Sequence, residues 1–174
     1  MDLLPHRHLA TLRLEVDYAG ILGIGAVREG LRGVANIMSG RFEGERLQGR
    51  VVGGHDWFVR RADGTLAIDV RLTLETDDGA AALLFYQGRM IGSPETMASF
   101  RRGALLVPAD YSLSVVARWE CGDPRYAWLN DLICVGIGEQ TPTGPMYRIF
   151  EIGRQGHGAS CHAADPKPII HDGP

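Results

Sequence analysis

Leu66–Thr76 constrains the fold of this chain more than any other segment. Leu66, Ile68, Val70, Leu72 and Leu74 alternate with Ala67, Asp69, Arg71 and Thr73, and turn residues flank the run: Asp63-Gly64 before it and Asp77-Asp78-Gly79 after it. Successive side chains of a strand point to opposite faces, so the run reads as a strand with one apolar and one polar face. An Asp-Gly pair between alternating runs is a strong hairpin signal. Arg50–Arg60 supplies the preceding strand, and Ala81–Arg89 answers the second turn.

The rest of the chain is organised in the same way. Leu9–Tyr18 puts Leu12, Leu14 and Val16 on one face before Gly20, Gly23 and Gly25 interrupt it. Val34–Arg46 carries a strand into a turn at Ser39-Gly40 followed by Phe42, and further strands are predicted over Tyr111–Cys121, Ala127–Ile137 and Met146–Ile152. A single helix is predicted over Pro94–Arg102, with Ser93 as N-cap, Pro94 at the first helical position, Glu95 at the positive dipole end and Gly103 as the stop. Evenly spaced strands with tight turns predict an all-β fold: a closed antiparallel β-barrel of about eight to nine strands with one short helix near residues 94–102. Glycines inside apparent strands (Gly33, Gly49, Gly88, Gly136, Gly138) suit strands bending in a barrel, and closure removes exposed sheet edges. Residues 1–152 are expected to form one domain, and residues 153–174, rich in Gly, Pro, His and Ala, a tail without regular structure.

Composition excludes several classes of function. With 174 residues, 45% of them hydrophobic, the chain is long enough for a sizeable core. A net charge of −3 without a basic run argues against nucleic-acid and anionic-membrane partners. Lys167 is the single lysine, which leaves little room for Schiff-base chemistry. Cys121, Cys134 and Cys161 form no Cys-x-x-Cys pair and read as free thiols of a reducing, cytoplasmic setting. The N-terminus carries no secretory signal pattern, and no apolar run approaches the ~18 residues that span a bilayer. His157, Cys161 and His162 match no zinc spacing, and Gly20–Gly25 precedes no helix that would make it a dinucleotide loop. No metal and no cofactor is expected.

Several motifs occur in order over residues 32–152: Gly40-Arg41-Phe42-Glu43-Gly44, Gly53-Gly54-His55-Asp56-Trp57, Asp69-Val70-Arg71, Tyr86-Gln87-Gly88-Arg89, Trp119-Glu120, Gly122-Asp123-Pro124-Arg125-Tyr126-Ala127-Trp128-Leu129-Asn130 and Tyr147. In these the chain resembles the DUF3237 family, also called the UPF0311 proteins. The resemblance implies a closed barrel, similar in outline to allene oxide cyclase and dirigent barrels, with a site inside its mouth. It also implies ring-forming chemistry, as associated with fungal members. This chain departs from the family pattern in three places: Leu113-Ser114-Val115 replaces a Phe-Arg-Thr run, Glu45 replaces a proline, and His55 occupies a slot that more often holds a small residue.

The candidate catalytic residues are Asp69, Arg71, Glu120, Asp56 and His55. Arg71, with Asn130 or Tyr126, would hold an oxygen where charge develops, and one of the carboxyls or His55 would move a proton. Because neighbours on a strand face opposite ways, His55 and Asp56 enter one lumen together only if a bulge intervenes at Gly53-Gly54. Trp57, Tyr86, Tyr126, Trp128, Asn130 and Ser114 are the candidate substrate-binding residues, while Trp119 reads as core filling. The expected function is a cofactor-independent cyclase, isomerase or lyase acting on a small apolar, aromatic or polyketide-like ligand; the alternative is a lipocalin-like binding protein without chemistry. A homodimer or other homo-oligomer stays open.

Overall fold

A computed structural model describes residues 3–153; the expectations for the tail, including His157, Cys161 and His162, lie outside the described residues. In chain order the strands are β1 (His6–Val27), β2 (Gly30–Glu43), β3 (Gln48–Asp56), β4 (Val59–Arg60), β5 (Leu66–Thr76), β6 (Ala81–Gly92), β7 (Tyr111–Cys121), β8 (Ile133–Gln140) and β9 (Pro145–Ile152). One α-helix, α1 (Pro94–Arg101), and 3₁₀ turns at Pro108–Asp110 and Pro124–Asp131 complete the described elements. The sheet runs β1-β9-β8-β7-β6-β5-β3-β2, and β2 pairs back onto β1, so eight antiparallel strands close into a cylinder. The ninth, β4, is a two-residue strip that bridges β2 and β5 at one rim.

Alternation decides what fills the cylinder. Leu66, Ile68, Val70, Leu72 and Leu74 point inward and are buried, while Arg71 and Thr73 between them are exposed. One half is packed solid: Phe42, Leu47, Leu74, Leu84, Trp119, Leu129, Cys134 and Ile149 are all essentially excluded from water. Phe42 meets Trp119 edge to face with centroids 6.4 Å apart, and Trp119 is core, as its reading required. This half is the closed end, bordered by the β2–β3 and β5–β6 turns; the open end carries the β1–β2 and β8–β9 turns and α1.

Local signals placed the helix and the hairpins well. Ser93 Oγ accepts the Thr96 N–H at 3.2 Å, and Gly103, just past the helix, takes φ +84°, a left-handed conformation that suits glycine. Ser39-Gly40 makes no turn, since β2 runs unbroken from Gly30 to Glu43, and the glycine-rich stretch after Tyr18 does not end β1. Instead the strand continues to Val27 with register irregularities between Asp17 and Leu22 and between Gly23 and Gly25. No helix among the described residues is long and apolar enough to cross a membrane.

The strand expected over Ala127–Ile137 begins only at Ile133, and its first part is a 3₁₀ turn. Pro124 opens that turn, Asp123 caps it by accepting the Arg125 N–H at 2.9 Å, and Asn130 then clamps the end of β7. Asn130 Oδ1 accepts the Cys121 N–H at 2.9 Å, while its Nδ2 donates to the carbonyls of Cys121 (2.9 Å) and Ala127 (3.0 Å). Asn130→Ala should therefore destabilise the protein by about 0.5–1.5 kcal/mol, since the half-exposed hydrogen bonds that close the end of β7 are lost. Urea denaturation would read this as a lower midpoint at unchanged slope.

Candidate functional site

At the open end the inward side chains stop short of one another and leave a cavity of about 700 Å³. Its walls are mainly apolar, built from Leu14, Ile37, Phe58, Ile68, Val70 and Leu113. Two small residues make the room. Ala35 lies beside the lumen, and Gly33 lets the Phe58 ring lean in, where a Cβ on residue 33 would come within 2.3 Å of that ring. A volume of this size suits a drug-sized ligand.

Asp56, the last residue of β3, brings a carboxyl into this space. Pairing sets it opposite Ala35 on one side and Val70 on the other, and Val70 lies opposite Tyr86, so the four share one tier of the barrel. Tyr147, from β9, meets Tyr86 with ring centroids 5.2 Å apart and planes inclined by 59°. Both phenols line the cavity, and their hydroxyls lie close enough to influence each other's ionisation. Tyr18 adds a third phenol near the rim.

The electrostatics of the cluster follow from its apolar walls. Loss of solvent lifts Asp56 from the ordinary 3.8 to about 7; the Asp69 N–H, 3.2 Å from Oδ1, opposes that rise, and the Asp69 carboxylate adds to it. Burial likewise pushes the phenols of Tyr86 and Tyr147 upward, and the charge on Asp56 pushes in the same direction. Near neutral pH the site thus holds a carboxyl that can give or take a proton beside two neutral hydroxyl donors. That is equipment for acid–base work.

Of the residues singled out from the sequence, Asp56 and Tyr86 face the cavity. His55, Arg71, Ser114 and Glu120 are exposed on the outer wall, with Trp57 and Asp69 half-buried there. Arg71 lies 5.2 Å over the Trp57 ring, His55 packs 5.4 Å from that ring, and Glu120 pairs with Arg118 at 2.7 Å. The expectation that β5 turns Asp69 and Arg71 into the lumen is corrected: an alternating strand buries one face, and the Leu/Ile/Val face wins by its hydrophobic gain. Asp69 reaches the site only through its backbone N–H and its charge. Tyr126, Trp128 and Asn130 sit at the closed end. There Tyr126 donates to Asp78 at 3.1 Å, Trp128 lies under Arg46 at 4.3 Å, and Asn130 is the β7 clamp.

Sequence reasoning did not place Tyr18, Tyr147 or Arg60 in the site. Two of them had a signal. Tyr18 continues the Leu12–Leu14–Val16 face, and Tyr147 shares its strand face with Ile149. Tyr147 depends on a close fit: a Cβ at Gly138 would lie 2.5 Å from Leu113 Cδ2 and 2.7 Å from Tyr147 Cε1. Gly138→Ala should cost about 1–3 kcal/mol by overpacking, and the displaced Tyr147 ring should change the near-ultraviolet circular dichroism.

Comparison with known proteins agrees with this architecture. The profile of the DUF3237 family, described as proteins of unknown function, matches residues 5–152. A UPF0311 protein of Rhodopseudomonas palustris is 28% identical over 117 residues, covering 67% of this chain and 76% of the relative. The crystal structure of a conserved protein of unknown function from Rhodopseudomonas palustris superposes with a TM-score of 0.80 at 23% identity, over 88% of this chain and all of that one. An enzyme from Penicillium herquei superposes with a TM-score of 0.65 at 18% identity, covering 86% and 95% of the two chains, a likeness of fold alone. A closed barrel matched by the family profile along nearly its whole described length leaves one assignment: the chain belongs to the DUF3237 (UPF0311) family.

Proposed function

We propose that the protein is a proton-transfer enzyme of the isomerase, cyclase or lyase type, acting without a cofactor on a small, largely apolar aromatic or polyketide-like molecule held in the barrel mouth. One observation carries the reading: a lone carboxyl with its pKa lifted to about 7 faces an apolar cavity beside the hydroxyls of Tyr86 and Tyr147. Ionised Asp56 takes a proton from a carbon next to a carbonyl, the C–H electron pair becomes the enolate double bond, and a tyrosine hydroxyl donates to the oxygen that gains charge. Return of the proton to a different carbon completes an isomerisation. Loss of an oxygen substituent β to the carbonyl completes an elimination, and its reverse closes a ring. The Penicillium herquei barrel is precedent that this fold can support an enzyme, but the reading rests on Asp56.

Deuterium uptake tests the proposal without a known substrate. The protein is incubated in heavy water with tetralone and with an acylated resorcinol, and label entering the carbon next to the carbonyl is followed by mass spectrometry. The wild type should accelerate uptake, with a rate rising through pH 7, and Asp56→Asn should lower it by roughly a hundredfold or more. Tight binding without any exchange would favour the carrier reading, which the mostly apolar wall also suits.

A further inference from the structure

Among the described residues, three charged side chains besides Asp56 line the cavity, and all are arginines: Arg60, Arg101 and Arg102. Arg101 and Arg102 are exposed at the end of α1, whereas Arg60 belongs to the sheet. Strand β4 pairs Arg60 with Leu66, whose side chain also lines the cavity. The guanidinium lies over the Phe58 ring at 5.6 Å, and its buried Nε has no hydrogen-bond partner among the described residues. Among the described residues no carboxylate forms an ion pair with it. Nor does it neutralise Asp56, whose surroundings contribute no cation. A buried polar nitrogen without a partner is costly, and a bound oxyanion would supply that partner.

Position adds a length. Along β5, four residues separate Leu66, opposite Arg60, from Val70, opposite Asp56, a rise of about 13 Å at ordinary strand geometry. The cavity thus has a cationic pole at the rim and a carboxyl–phenol pole deeper in, with hydrocarbon between them. A guanidinium presents paired N–H groups that match the planar oxygens of a carboxylate.

We propose that Arg60 is the ligand-anchoring residue of this cavity and that the molecule it takes is an amphipathic carboxylic acid, its carboxylate on Arg60 and its aromatic or polyketide-like body reaching down toward Asp56. This rests on the cavity being the functional site and names the substrate class for it. The reacting carbon then lies at the end of the ligand remote from its acid group. Arg101 and Arg102 at the rim favour approach of the same anion.

The test compares naphthylbutanoate with its neutral amide, naphthylbutanamide, by titration calorimetry. The wild type should bind the acid roughly tenfold or more tightly than the amide, and Arg60→Gln should erase that preference while leaving amide affinity within about twofold. Equal affinity of acid and amide for the wild type, a preference that survives in Arg60→Gln, or no binding of either compound would each overturn the assignment. Should Arg60→Gln fail to fold, the Arg60 Nε–H signal in nitrogen NMR of the wild type carries the test: it must move with the acid and stay with the amide, and an unmoved signal refutes the anchor. The arms separate this inference from the catalytic one. A charge preference without deuterium exchange leaves the anchor standing and removes the enzyme, whereas exchange on neutral ketones without a charge preference does the reverse.

Discussion

At pH 8 the Asp56→Asn protein should melt about 8 °C above the wild type, and near pH 4 the two should melt together. The free carboxyl of an unfolded chain titrates at the ordinary 3.8, whereas in the fold Asp56 titrates at about 7. Below pH 4 it is protonated in both states and contributes no difference. Between pH 4 and 7 the folded chain retains a proton that the unfolded chain has released, so rising pH favours unfolding. Above pH 7 the penalty is complete. Each pKa unit corresponds to about 1.4 kcal/mol, and after allowing for solvent entering the open mouth the ionised group costs the fold about 3 kcal/mol. At roughly 2–4 °C per kcal/mol for a chain of this size, that gives the stated shift. Asparagine keeps an oxygen to accept the Asp69 N–H and never ionises, so the variant escapes the penalty. Melting curves of both proteins from pH 4 to 8 check this, and parallel curves would mean that Asp56 carries no raised pKa. A residue that weakens its own fold when ionised, yet has been placed in an apolar cavity, fits a role in chemistry better than a role in structure.

Phe42→Ala should show that the barrel's two halves are separable. Phe42 is 1% exposed and packs edge-on against Trp119 in the closed end. Removing the ring gives up its burial and leaves a void, a cost of about 3–5 kcal/mol by analogy with other aromatic truncations. Phe42 does not line the mouth cavity, so naphthylbutanoate affinity, measured where the variant is still folded, should stay within about twofold of the wild type. A large loss of affinity would show that the closed end props up the site, and that the mouth cannot be treated as an independent cavity.

The two effects depend on different kinds of information. Trp119 was legible as core filling from the sequence, because burial of a large side chain is a local consequence of strand periodicity, whereas the structure adds Phe42 to that core. The same rule split His55 from Asp56, although it did not say which of them turned inward. Spacing grouped Asp69 with Arg71 correctly and then placed their shared face on the wrong side of the wall. The error has a physical origin. Conspicuous polar residues attract a functional reading, but a barrel lumen lined with leucine and valine needs few polar groups, and those arrive singly, from different strands.

Read alone, the chain determined most of its strands, its Asp-Gly turns and its helix cap, since each is set by neighbours within a few residues. It pointed to a closed barrel, but closure itself is made by the long-range pairing of β1 with β9. It also determined which side chains share a face. Only the tertiary structure decided that Asp56, Tyr86 and Tyr147 meet, because β3, β6 and β9 come together across a cylinder whose register no local pattern encodes. It decided as well that two residues of β4 would bring Arg60 to the rim, and that Asn130 would clamp a strand end instead of lining a pocket. A carboxyl's proton affinity depends on the water removed from around it, and that removal exists only once the barrel has closed.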